Sequence, residues 1–144
     1  MVEHSGGVCV AALTEDDELL MVRQYRYPFH RELLEVPAGK LEKGEDPLEA
    51  GKRELEEECG IVADKVISLG EIYPTVAYCS EIIRMYAATG LKKTGQRLDE
   101  GEFLGVEKIK FGDALDMVMR GDIRDAKTVA AILKLSVLKS EGKI

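Results

Sequence analysis

The 144-residue sequence contains no asparagine and only two glutamines, Gln24 and Gln96. Such a shortage of thermolabile amides, beside 33% charged residues, is a composition met in heat-adapted proteins. Cysteine is scarce too. Cys9, Cys59 and Cys79 are odd in number, widely spaced and form no C-x-x-C pair. That pattern excludes a disulfide framework and a structural zinc site, and the three are expected to be small buried hydrophobes. No apolar run approaches the roughly 18 to 20 residues that cross a bilayer. The N-terminal MVEHSGGV lacks the basic and then apolar segments of an export signal, so a cytoplasmic protein without membrane contact is expected. Two isolated histidines, His4 and His30, have no metal-ligand spacing and are taken as incidental. Positive charge is also short: 20 Lys and Arg face 27 Asp and Glu, a net charge of -7. A general nucleic-acid surface is thereby excluded, since phosphate binding relies on clustered cations. An anionic partner would have to be met by a few local cations or by a metal ion.

What is present suits one domain over residues 1–144, long enough to bury roughly two thirds of the surface of its unfolded chain. GGVCVAAL (6–13) and ELLMVRQYR (18–26) read as strands joined by TEDD in a hairpin or short polar turn. LLEV (33–36) is a third strand ending at Pro37, and PAGKLEKGED reads as a loop. Asp46, Pro47 and Glu49 have the order of a capping box, and Gly60 is the matching stop, so a helix is expected between them. KVISLGEIY (65–73), SEIIRMYAA (80–88) and FLGVEKI (103–109) read as strands, and TGLKKTGQRLDEGE as a polar loop. Helices from Gly112 to Met119 and from Ala126 to Leu138 close the chain. Strands, one helix, strands and then helices imply an α/β fold with a mixed sheet covered by helices.

The first helix breaks local rules. On a helical wheel Leu48, Gly51, Leu55 and Cys59 share a narrow buried arc. Glu54 and Glu58 sit together along its edge, Glu57 lies one step further round, and Glu56 projects elsewhere. Like charges four residues apart cost on the order of 0.2–0.5 kcal/mol, and the helix dipole adds roughly 0.3–1 kcal/mol per charge at this end. Both terms oppose the arrangement, as happens where a site has been built at the expense of the element. Hard divalent cations such as Mg²⁺ or Mn²⁺ want oxygen ligands, and carboxylates at this spacing can converge on one.

The full spacing is Gly39, five residues, Glu45, seven residues, Arg53-Glu54-Leu55, one residue, Glu57-Glu58, one residue, Gly60-Ile61. This stretch matches throughout the signature of the Nudix hydrolases, and the chain is identified as resembling that family. The Nudix fold, a mixed β-sheet sandwiched between α-helices, is the architecture implied. Physically, Gly39 and Gly60 would permit the turns, Leu55 and Ile61 anchor the segment, and Arg53 can hold Glu45 through a bidentate contact. The resemblance makes Glu54 and Glu58 the main metal ligands, Glu57 a further ligand or catalytic neighbour, and the Ala38 carbonyl a companion in the ligand set.

Flanking stretches carry the resemblance further. VRQYRYP (22–28), LLEVPAGKLEKGEDP (33–47), Tyr73-Pro74, SEII (80–83), DEGE (99–102) and GDIRDAKT (121–128) resemble the ADP-ribose pyrophosphatase branch. That branch implies Mg²⁺-dependent hydrolysis of a small-molecule nucleotide, ADP-ribose, to AMP and ribose 5-phosphate. It also implies that Arg26 contacts substrate phosphate, that Glu35 lies beside the site and that Arg23 is a weaker contact. Its base is a loop glutamate, here Glu102 or Glu100, with Glu102 preferred for its place before the FLGV strand. Tyr73 and Tyr78 are expected to pack rather than to stack on a base. Members of the branch usually carry additional N-terminal strands that exchange between subunits. This chain begins almost at the first core strand, so that exchange is set aside, although a homodimer is still expected. Rival readings are the same chemistry on another nucleoside diphosphate derivative, and a non-catalytic nucleotide sensor, whose mark would be a damaged signature.

Overall fold

Six consecutive buried residues, Gly7–Ala12 (β1), form the centre of the molecule. A strand apolar on both faces must be covered on both, and β1 is. In the computed structural model, which describes residues 1–94 and 106–144, β1 lies between β4 (Ala38–Lys40), antiparallel, and β6 (Ile83–Lys93), parallel. Beyond β6 runs β5 (Ile61–Ile72), giving the order β4-β1-β6-β5. A second, antiparallel sheet holds β3 (Arg31–Glu35), β2 (Glu18–Arg26) and β7 (Val106–Lys110) in that order.

Alternation along β1 divides the core. Val8, Val10 and Ala12 join Leu55, Cys59 and Ala50 of α1 (Pro47–Cys59). Cys9, Ala11 and Leu13 join Ala131, Ile132 and Leu135 of α3 (Ala126–Ser140), together with Phe111 and Ala114 of α2 (Phe111–Met119). The mixed sheet is thus held between helices, the fold class the sequence implied.

The start of α1 is as the sequence indicated: Asp46 accepts from the Glu49 N–H at 3.1 Å, and Pro47 takes the first position. The reciprocal half of the capping box is not used, because the Glu49 carboxylate faces Lys52 at 3.7 Å. Gly60 closes the helix at φ 66°, its N–H donating to the Glu56 carbonyl. The buried stripe holds Ala50, Gly51, Leu55 and Cys59; Leu48 is half-buried. Gly51 admits Tyr86, whose ring would stand 3.3 Å from an added Cβ.

Several expectations need correction. β1 and β2 do not form a hairpin; one isolated bridge, Leu13 to Leu19, joins them before they enter different sheets. Ala38–Lys40, read as loop, is a strand because β1 offers it an edge, pairing Cys9 with Ala38 and Val8 with Gly39. β5 starts directly after the helix, and β6 continues to Lys93, since long antiparallel pairing between them outweighs the polar composition of 89–93. Cys9 and Cys59 are buried, whereas Cys79 is half-exposed; all three are free. Among the described residues no helix is long and apolar enough to cross a membrane.

Candidate active site

One face of α1 carries Glu54 and Glu58 to the edge of the sheet at β4. Arg53 is the hub of the acidic residues around it. Its Nε and Nη2 grip Glu45 at 2.7 and 2.9 Å, and its Nη1 donates to Glu54 at 2.9 Å and to Glu57 at 3.1 Å. The fork holds the Glu45 carboxyl down at about 2. Arg53 is raised further above its usual range, first by its hydrogen bonds to Glu45.

Glu54 and Glu58 face inward, and burial pushes both carboxyls up against the opposing pull of neighbouring groups. Glu58 reaches about 7, with the charge of Glu54 the second cause. One of its oxygens, Oε2, is buried and, among the described residues, has no hydrogen-bond partner. Unpaired buried acceptors are costly and rare. Gly39 answers a different need from the one its sequence suggested. It sits within β4, and an added Cβ would stand 2.1 Å from the Glu54 carboxylate. Glycine is required there by the approach of Glu54, not by a turn.

Beside these groups opens a cavity of about 440 Å³, whose walls include Val22, Gln24, Arg26, Glu35, Ala38, Gly39 and Lys127. Period-two alternation on β2 explains which arginine reaches it. Val22, Gln24 and Arg26 line the cavity; Arg23, on the opposite face, pairs with Glu107 across to β7 at 2.5 Å.

At the far wall lies a second charged group, which sequence reading did not assemble. Glu35, only 1% exposed, accepts from Arg26 Nε and Nη2 at 2.7 Å each and from Lys127 Nζ at 2.7 Å. Lys127 Nζ also reaches Asp125 at 2.9 Å. Asp125 caps α3, accepting from the N–H and hydroxyl of Thr128, and the Thr128 hydroxyl oxygen accepts from the Val36 N–H. Burial pulls Lys127 down, but Asp125 and Glu35 outweigh it and its net shift is upward. Arg26 is likewise raised, chiefly by its bonds to Glu35. The electrostatic influence of Lys127 and Arg26 extends to Glu58, so both charged groups act on one space.

His4, which sequence reading set aside, lines the cavity with Pro74 and Glu81. Its Nδ1 accepts from the Gly6 N–H at 2.9 Å, and its Nε2 stands 3.5 Å from Glu81. Tyr73 and Tyr78 are exposed and pack into no core. Glu100 and Glu102 lie outside the described residues.

The donor set fits a hard divalent cation. Among the described residues no three acidic, histidine or cysteine side chains converge, because Glu57 is exposed and turned to Arg53. Mg²⁺, however, is commonly held by one or two carboxylates and completed by waters and substrate phosphates. Two inward carboxylates, one with an unpaired oxygen, beside an open cavity are such a partial shell.

Comparisons with known proteins identify the family. A family model described as NUDIX domain matches residues 3–132. The chain is 40% identical over 139 residues to an ADP-ribose pyrophosphatase of Bacillus subtilis (strain 168), covering 95% of this chain and 75% of that one. It has the same identity, over the same length and coverage, to a methanol dehydrogenase activator of Bacillus methanolicus. The crystal structure of an ADP compounds hydrolase matches with a TM-score of 0.79 at 25% identity, covering 98% of this chain and 77% of that one.

Proposed function

The chain belongs to the NUDIX family and is a Nudix hydrolase, and from that premise we propose that it hydrolyses the pyrophosphate bond of ADP-ribose with a divalent ion, Mg²⁺ or Mn²⁺. Water adds across the P–O–P linkage; one P–O bond forms, one breaks, and AMP and ribose 5-phosphate leave.

The observation that carries this reading is the unpaired, buried Glu58 oxygen, held with Glu54 against Ala38 and Gly39, which wall a cavity that Arg26, Lys40 and Lys127 also line. Glu54 and Glu58 would hold the ion, with Glu57 and the Ala38 carbonyl as companions. When bound, the ion supplies charge neutralisation for the pyrophosphate and lowers the pKa of water. Arg53 keeps Glu45, Glu54 and Glu57 in register from the solvent side. Arg26 donates to a substrate phosphate, because Glu35 occupies its Nε and Nη2 and, among the described residues, Nη1 has no acceptor. Glu35 itself, saturated by three cationic N–H groups, orients Arg26 and takes no proton from water in this arrangement. The proton acceptor is Glu102, or in its place Glu100, an assignment resting on the resemblance of that segment. Arg23 takes no part, given its pairing with Glu107.

The reading extends to a single-domain chain acting in the cytoplasm as a homodimer. Free cysteines suit a reducing compartment, and exposed Tyr25, Tyr27, Phe29, Val76 and Tyr78 offer apolar surface for a second copy. Sedimentation at the mass of a monomer would remove the dimer from this reading.

The test of substrate is Mg²⁺-dependent hydrolysis of ADP-ribose beside GDP-mannose, NADH, diadenosine polyphosphates and 8-oxo-dGTP, with products separated by chromatography. Preference for ADP-ribose with AMP as product is expected. Preference for another compound keeps the metal site and replaces the substrate; no turnover with any supports a sensor, against which the intact signature argues.

A further inference from the structure

Lys127 is 9% exposed, yet it is a lysine at the second position of a helix, where the dipole disfavours positive charge. Burying an ammonium is tolerated only where its hydrogen bonds are met by opposite charge. Lys127 has two such bonds, to Glu35 Oε1 and to Asp125 Oδ2. Asp125 is itself fixed, since it caps α3 and accepts from both the N–H and the hydroxyl of Thr128. Lys127 therefore ties a carboxylate of β3 to the start of α3. The other side of that carboxylate holds the Arg26 fork, whose side chain is 43% exposed and reaches into the cavity. A half-exposed arginine on the last residue of a strand has many rotamers; one gripped from behind has few.

We propose that Lys127 is a positioning residue for substrate binding: through Glu35 it fixes the Arg26 guanidinium in the orientation that meets the anionic group of a nucleoside diphosphate. This rests on the reading of the cavity as the nucleotide site. The chain of contact runs Asp125 to Lys127 to Glu35 to Arg26, so the effect of Lys127 travels through Arg26.

That route makes a test by double-mutant cycle possible, because residues acting through one another are non-additive. Lys127→Met removes the charge while keeping an apolar stem of similar length. With ADP-ribose and Mg²⁺, KM is expected to rise about tenfold while kcat stays within about threefold, as for loss of binding shared by ground and transition states. In an Arg26→Ala background the same change is expected to raise KM no further. Calorimetric binding of ADP without metal should show the same pattern. An unchanged KM, or equal effects with and without Arg26, overturns the proposal; the second result would assign Lys127 a direct contact of its own. If Lys127→Met does not fold, the cycle is run with Lys127→Arg, which keeps charge and donors. A KM near wild type supports the proposal there, and a rise that is the same in both backgrounds overturns it. Failure of the wild-type protein to cleave ADP-ribose or bind ADP would instead remove the substrate reading, so the two failures are told apart.

Discussion

Two groups of charges flank one cavity, and they are balanced differently. On α1 a single cation, Arg53, serves Glu45, Glu54 and Glu57, and Glu58 lies beyond its reach with an oxygen unpaired. At the start of α3 two cations, Arg26 and Lys127, face two carboxylates, Glu35 and Asp125, and each carboxylate oxygen named there is occupied. The first group has an excess of negative charge and the second has none. An excess of carboxylates held against burial is incomplete until a cation arrives, whereas a balanced group is finished in the folded protein and can serve as a fixed support. Composition alone does not separate them, for both are Arg-Glu clusters. Stoichiometry and burial do.

Three isosteric substitutions, each Glu to Gln, test that difference. In the acidic group, Glu58→Gln should lower turnover at saturating Mg²⁺ by about 1000-fold or more, beyond the 10–100-fold typical of groups that merely support a metal site. Its effect on the metal-free fold should be the reverse of damage. The Glu58 carboxyl is raised from 4.5 to about 7, so its contribution to stability is present below about 4.5 and lost as pH rises through about 7. At pH 8 the metal-free variant should melt above the metal-free parent. A variant that keeps the parent's rate would dissolve the comparison by removing the metal from the acidic group.

In the balanced group the same chemical change should act with the opposite sign. Glu35→Gln leaves Arg26 and Lys127 facing a neutral amide in a buried setting, and breaking such a pair from one side costs about 3 kcal/mol. Chemical denaturation at pH 7 measures it, and a variant as stable as the parent would show that the group is not the support described here. The smallest effect belongs to Glu45→Gln, since Glu45 is gripped by Arg53 at the protein surface. The Glu45 carboxyl is lowered from 4.5 to about 2, so its stabilisation is present above about 4.5 and disappears as pH falls through about 2. Parent and variant should differ in melting temperature at neutral pH and converge on acidification across that window. A difference that persists at pH 2 would assign the effect to shape rather than charge.

Much of the acidic group was legible in the sequence because its parts are local. Asp46, Pro47 and Gly60 fix the ends of α1, and the helical period then places Glu54 and Glu58 together without further information. The candidate site stood out where it broke rules, four glutamates at the wrong end of a helix. The balanced group was not, because Glu35 and Lys127 are 92 residues apart and neither looks unusual in its own segment. A lysine two residues after a capping aspartate reads as solvent-facing until β3 is brought against it. Gly39 was identified as necessary but for the wrong reason, since nothing in a sequence says that a side chain fifteen positions later will lie on its Cα. One signal was available and unused: with β2 assigned as a strand, alternation alone separates Arg26 from Arg23. The division of the strands into two sheets depended on β1 taking β6 as a parallel neighbour, a pairing of Gly7 with Ile83 and onward, 76 positions apart, that no local pattern records.

The Val36 amide donates to the Thr128 hydroxyl oxygen rather than to a neighbouring strand. Its exchange with solvent deuterium is therefore governed by the docking of the first turn of α3 and not by the opening of a sheet. Val36 itself, with Glu35 before it and Ala38 after, belongs to the cavity wall. A single backbone proton thus reports, in a protein carrying no label or inhibitor, how often the helix start lets go of the site it supports.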